Sequence, residues 1–302
     1  MLKYIKLMVF VLLALFVIMC NKESAKTETI LQGETTFLVD ETLKPIIEDQ
    51  IEIFENQYDA KIILNAKSEA EVIQALVNDS SRVAILTRSL TPEEAKVFKN
   101  KKITPKITKF AVDAIALISN KNNKDTVVAL QDVIDFMQQK QSKIKGLVFD
   151  NPNSSTARYI NELAGIREFP KTGVFSFGTN EEAIRHVAEN DGLIGIVGLN
   201  WLTQPSSKMK PYVNIVTVLS VKDVNGQDYI YPSQNDIGLQ KYPLARDLYI
   251  VNCQGFSGLG MGFSSFIAGE VGQKIILKSG LVPATMPGRK INIRNGISND
   301  KK

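Results

Sequence analysis

Hydroxyl side chains stand at the starts of several helical patterns in this 302-residue chain. Asp40-Glu41-Thr42, Lys67-Ser68 and Ser154-Ser155-Thr156 each follow a strand-like run and lead straight into a helix. A helix start presents N–H groups with no intrahelical partner and about half a positive charge, so hydroxyls placed there help to cradle an anion. One such place by itself is an ordinary N-cap, whereas several converging in a cleft make an oxyanion pocket. Arg88, at the end of a third strand, offers a guanidinium that fits a tetrahedral oxyanion bidentately or pairs with a surface carboxylate. Arg158, just inside the Ser-Ser-Thr helix, is a further candidate.

Other chemistries find little to work with. His186 is the sole histidine, on the polar side of a helix beside Glu182 and Glu189, and is expected to be solvated. Nothing in its spacing builds a Ser-His-Asp triad, so the chain is read as a non-enzyme. No Cys or His cluster has metal-ligand spacing, and Gly258, Gly260 and Gly262 fail the dinucleotide fingerprint because Phe263 stands at its last glycine. Neither a metal nor a cofactor is expected. The formal net charge is +4, reduced if Lys3 and Lys6 are removed, with no basic stripe to follow a nucleic acid. Cys253 lies in the apolar run Leu248–Cys253 and is expected to be a buried, inert thiol.

The elements that would position these residues alternate in the α/β manner. Thr36–Val39 reads as a strand, followed by a helix whose apolar face is Leu43, Ile46, Ile47, Ile51 and Phe54. Lys61–Asn65 and Val83–Leu86 are further strands. Ser68 with Glu71 forms a capping box, and Thr91-Pro92-Glu93-Glu94 opens another helix. A long strand over Phe110–Asn120 changes the pattern. Leu147–Phe149 leads to the Ser-Ser-Thr helix ending near Gly165, Thr179 and Glu182 cap the next helix, and Leu193–Val197 is a buried strand. Tyr242–Asn252 is a second long strand, and a last helix is expected over 263–278.

At the N-terminus, Lys3 and Lys6 precede an apolar run from Leu7 to Met19 that ends at Cys20. That run is short of the roughly 20 residues a membrane-spanning helix needs, so it reads as a signal peptide. Val17-Ile18-Met19-Cys20 resembles the lipobox of bacterial lipoproteins, with Met19 where a small residue is usual, and this resemblance implies a lipid on Cys20. Asn21–Glu34 is polar and aperiodic and suits a tether. The implied location is the cell envelope, with the domain held at a membrane.

Several segments together resemble the phosphate-binding proteins of bacterial phosphate ABC importers, from about Phe37 to Ile293. They are Asp113-Ala114-Ile115-Ala116, Asp191–Gly198, Tyr242–Tyr249, Gly272-Gln273-Lys274-Ile275 with Gly280-Leu281-Val282-Pro283, and Thr87-Arg88-Ser89-Leu90. The resemblance implies an α/β fold of the two-lobed, type II periplasmic-binding-protein kind, with two hinge strands and a solute cleft between the lobes. On it, residues 1–19 are the signal peptide, 20–34 the lipidated tether, 35–111 with 246–297 lobe 1, 112–245 lobe 2, and 298–302 a polar tail. The ligand residues it implies are Thr42, Ser68, Thr87, Arg88, Ser154, Ser155 and Thr156, for phosphate or a related small oxyanion. The implied partners are a membrane reached through the Cys20 lipid and an ABC permease, with the chain itself monomeric.

Four residues depart from that family's pattern. Ser155 replaces a glycine, Asp150 stands where many members have an arginine, and Asp40 and Glu41 replace neutral residues of the first loop. One carboxylate can accept the proton of a protonated phosphate, but several repel the anion by like charge. The other reading is therefore an envelope adaptor or sensor lipoprotein that reuses the fold without transport.

Overall fold

The computed structural model describes residues 28–79 and 81–286. The signal segment, Cys20 and the 298–302 tail lie outside the described residues.

The first third forms β1 (Gln32–Asp40), α1 (Lys44–Gln57), β2 (Asp59–Lys67), α2 (Glu69–Val77), β3 (Val83–Leu86) and α3 (Pro92–Asn100). The expected apolar face of α1 is buried whole, Leu43, Ile46, Ile47, Ile51 and Phe54 being at most 7% exposed. Each such side chain contributes about 1.5–3 kcal/mol by leaving water. Phe54 and Phe37 both pack edge-on against Phe263, with ring centroids 5.5 and 5.2 Å apart.

β4 (Lys106–Asn120) opens the middle of the chain. It is followed by β5 (Val127–Ala129), α4 (Leu130–Met137), β6 (Leu147–Phe149), α5 (Ser155–Ala164), β7 (Val174–Ser176), α6 (Asn180–Glu189) and β8 (Ile194–Gly198). Short elements come next: α7 (Asn200–Thr203), α8 (Lys210–Val213), β9 (Val216–Val218), β10 (Ser220–Lys222), β11 (Tyr229–Ile230) and α9 (Gln234–Gly238). β12 (Ala245–Asn252), α10 (Leu259–Ala268), α11 (Glu270–Lys278) and β13 (Val282–Pro283) complete the fold.

The large sheet runs β2-β1-β3-β12-β4-β8-β6-β7, and β5, β10 and β11 form a small separate sheet. β4 is the spine: it pairs antiparallel with β12 over Lys106–Ala114 and with β8 over Ile115–Ser119. One hydrophobic core accordingly draws on residues between 114 and 244, and a second on residues 37–111 together with 248–281. The functional loops lie where the two meet.

Three local expectations change. β1 starts at Gln32 rather than Thr36, because Gln32–Asp40 pairs in register with all of Asp59–Lys67 and this pairing outweighs polar composition. Glu28 is also tied down, its Oε1 accepting from Leu259 N–H at 2.6 Å and Gln254 Nε2 at 2.8 Å. The last helix is two helices broken at Gly269, whose extended backbone ends α10 and starts α11. Gly272 lets them pack, since a Cβ there would lie 2.5 Å from Ile267 Cα. His186 is half-buried rather than solvated, resting 4.8 and 5.7 Å from the Phe177 and Phe175 rings.

Candidate functional site

The loop after β1 makes a tight turn because the Asp40 side chain accepts the Thr42 N–H at 3.2 Å. This turn buries Thr42 against the other lobe. Trp201 Nε1 donates to Thr42 O at 3.0 Å, and Gly198 admits the approach, since a Cβ there would sit 2.6 Å from Thr42 Cγ2. On the lobe 2 side, Ser154 N-caps α5, accepting from Ala157 N–H at 3.2 Å. Asp150 lies four residues earlier, at the end of β6, and Asn180 opens α6.

These groups converge on the Asp150 carboxyl. Its Oδ1 accepts from Ser154 Oγ at 2.6 Å and from Thr156 Oγ1, and its Oδ2 from Asn180 Nδ2 at 3.1 Å and Thr42 Oγ1 at 3.3 Å. Ser155 Oγ accepts from Arg246 Nη1 at 3.0 Å and donates to Thr42 Oγ1 at 3.4 Å. Arg246 is held by Asp113, its directly opposed partner on β4, through Nε to Oδ1 at 3.0 Å and Nη2 to Oδ2 at 2.9 Å.

A second cluster surrounds Glu69 in the first turn of α2. It accepts from Thr87 Oγ1 at 3.1 Å and Arg88 Nε at 3.0 Å within lobe 1, and from Arg158 Nε at 2.6 Å across the cleft. Arg88 spends its remaining donors on Glu94, at 2.8 Å for each pair, and on Ser89 O. The cleft is also bridged by Glu41 accepting from Asn180 Nδ2 at 2.6 Å and by Ala70 N–H donating to Asn153 O at 3.2 Å.

The electrostatics follow from burial among like charges. Burial, then the nearby Glu69, raises Asp40 from 3.8 to about 7, although Ser155 and Arg246 oppose the shift. Burial likewise carries Glu41 to about 8 against the hydrogen bonds from Asn180, and pushes Asp150 up against its hydroxyl donors. Burial alone would also raise Glu69, but Arg158 and Arg88 outweigh it and hold the group below its ordinary value. Asp40 Oδ2 and both polar atoms of the Asn200 side chain are buried without a hydrogen-bond partner.

Of the residues singled out from sequence, Thr42, Ser154, Ser155 and Thr156 come together in one buried cluster. Ser68 turns aside into its capping box, its Oγ donating to Glu71 Oε2 at 2.6 Å. Thr87 and Arg88 serve the Glu69 cluster. Arg246, Asp113, Glu69, Asn180 and Trp201 were not foreseen as site residues. Arg246 did carry a signal: it falls in phase with Leu248 and Ile250, the inward positions of an alternating strand. Glu69 carried none, because an acid in a first helical turn is ordinary.

A groove of about 560 Å³ opens beside the buried cluster, lined among others by Arg88, Arg158, Tyr159, Tyr242, Arg246 and Tyr249. Its charged members are already paired, so it offers hydrogen bonding and ring faces more than free charge. Among the described residues, no group of three or more His, Cys, Asp or Glu side chains is placed to hold a metal ion. Among them, too, no helix is long and apolar enough to cross a membrane.

The family model described as a PBP superfamily domain matches residues 23–271. A solved structure from Clostridium perfringens, described as a phosphate ABC transporter substrate-binding protein with bound phosphate, matches with a TM-score of 0.68 at 20% identity, over 84% of this chain and 100% of its own. An ABC-type phosphate transport receptor from Vibrio cholerae matches with a TM-score of 0.62 at 17% identity, over 83% and 100%. The CcmR regulatory domain of Synechocystis, in complex with 2-PG, has a TM-score of 0.52 at 13% identity, over 78% and 96%. A search of curated proteins finds no match. The chain belongs to the PBP superfamily, and its fold is the two-lobed, type II periplasmic-binding-protein fold of solute-binding proteins.

Proposed function

We propose that this chain is an extracytoplasmic lipoprotein, anchored through Cys20, whose solute cleft rests shut on its own side chains and which acts as an adaptor or sensor in an envelope complex. Lobe 1 comprises residues 35–111 and 246–297 and lobe 2 residues 112–245, the chain working as a monomer. One observation carries the reading. Glu69 clamps Arg158 across the cleft while Asp150 takes up the hydroxyls of both lobes, so the chain's own side chains supply the contacts that hold the cleft shut. Solute-binding proteins ordinarily need their ligand to stabilise the closed state.

Calorimetric titration with phosphate tests this: no saturable heat is expected up to about 10 mM, and saturable binding in the micromolar range overturns it. The anchor is tested by Cys20→Ser, which should move the protein from the membrane to the soluble fraction; continued membrane association counts against lipidation.

The second reading is phosphate-class binding for ABC import through a permease. The hydroxyl-rich start of α5, the Arg246 guanidinium beside it, and relatives of this fold described as phosphate-binding transport proteins favour it. Against it stand Asp150, whose carboxyl already takes the hydroxyl donors of both lobes, and Glu69, which already takes Arg88 and Arg158.

A further inference from the structure

We propose that the Asp150 carboxyl group is the built-in occupant of an oxyanion site, and that removing it uncovers a pocket for tetrahedral oxyanions of the phosphate and sulfate class. This rests on the reading of a self-closed cleft and names what closes it.

A carboxylate has about four lone-pair positions. Asp150 has all four engaged, by Ser154 and Thr156 on Oδ1 and by Thr42 and Asn180 on Oδ2. These donors come from three separate segments: the loop after β1, the start of α5 and the start of α6. A residue that only capped α5 would need none of the first or third. The group is 1% exposed, so it is enclosed as a bound ligand would be.

Two further observations mark the place as a site rather than a local hydrogen-bond network. The guanidinium of Arg246 donates to the Ser155 hydroxyl at 3.0 Å, which in turn donates to Thr42 Oγ1, itself a donor to Asp150. Asp40, which shares the enclosure, keeps Oδ2 buried and without a partner. Held as the neutral acid, that carboxyl can donate a hydrogen bond to an oxyanion.

Cutting the side chain back to Asp150→Ala leaves four donors facing the space the carboxyl filled, which a tetrahedral anion enters as the lobes part slightly. Unsatisfied buried donors are costly, so a small external anion that restores their bonds is bound. The test uses the full chain in detergent, wild type beside Asp150→Ala and the isosteric Asp150→Asn, titrated with phosphate, sulfate and formate and followed by calorimetry and thermal melting. Asp150→Ala is expected to bind phosphate at least about tenfold more tightly than wild type and to melt higher in the presence of phosphate or formate. Asp150→Asn, which still fills the space, is expected to bind no better than wild type. If Asp150→Ala is unfolded alone, refolding by added anion supports the proposal and failure to refold overturns it. A folded Asp150→Ala that responds to none of the three anions also overturns it, while leaving the closed-cleft reading intact. Saturable phosphate binding by the wild type overturns both.

Discussion

Replacing Arg246 by methionine takes away the only cation, among the described residues, that pairs with Asp113, which is fully buried on β4. Two charge-assisted hydrogen bonds are lost, each worth about 1.5–3 kcal/mol, and Ser155 loses the donor that fixes it against Thr42. The larger cost is the orphaned charge, since breaking a buried pair from one side typically costs about 3–5 kcal/mol. Burial works against the Arg246 charge, but Asp113, Asp40 and Glu69 together outweigh it and hold its pKa above the ordinary value. Removing it therefore also raises the repulsion among those acids. For a chain of this size the melting temperature should fall by about 6–20 °C. Urea melts of Arg246→Met, Asp113→Leu and the double variant form the assay. The double variant should recover much of the loss, because apolar replacement of both partners leaves no unpaired charge, giving a coupling of about 2 kcal/mol or more. A single Arg246→Met that costs under about 1 kcal/mol, or a double variant no better than additive, refutes the reasoning.

Two further outcomes follow from the same cleft. Asp40 and Glu41 hold their protons to about pH 7 and 8 in the folded chain, against 3.8 and 4.5 ordinarily, so the folded state binds more protons than the unfolded between those limits. Their stabilisation is fully present below about pH 4 and is lost as pH rises through about 7–8. Around Asp40 stand Glu69, Asp150, Ser155 and Arg246, and around Glu41 stand Asn180, Asp150 and Asp40. Melts should show a lower transition at about pH 8.5 than at about pH 6, with the difference reduced in Asp40→Asn; a transition that rises over this range contradicts the assignment. Glu69→Gln should loosen the clamp between Arg88 and Arg158 and let the lobes part. Trp201 is the only tryptophan, and it donates across the cleft to Thr42 O, so its emission should shift to the red; an unchanged spectrum would show that the clamp does not hold the lobes.

The local elements are legible along the chain, because their causes are local. The apolar spacing of α1, the capping box of Ser68 with Glu71, the caps at Thr91 and Thr179, and the left-handed Gly165 at the end of α5 are near-neighbour effects. The sequence also put hydroxyls at helix starts, of which Thr42, Ser154, Ser155 and Thr156 meet in the fold while Ser68 does not, and it marked Asp40, Glu41 and Asp150 as out of keeping with an anion pocket. Tertiary structure alone decided what those residues touch. Thr42 meets Asp150 across a sequence separation of 108 and Arg158 meets Glu69 across 89, contacts no periodicity can encode. The same holds for Arg88: its type suggested an anion, but folding placed Glu69 and Glu94 within reach first, and a guanidinium pairs with whichever carboxylates share its burial. Asp150 was legible as a missing arginine. That its own carboxyl collects the donors of both lobes follows only from β6, α5, α6 and the β1 loop meeting at one point.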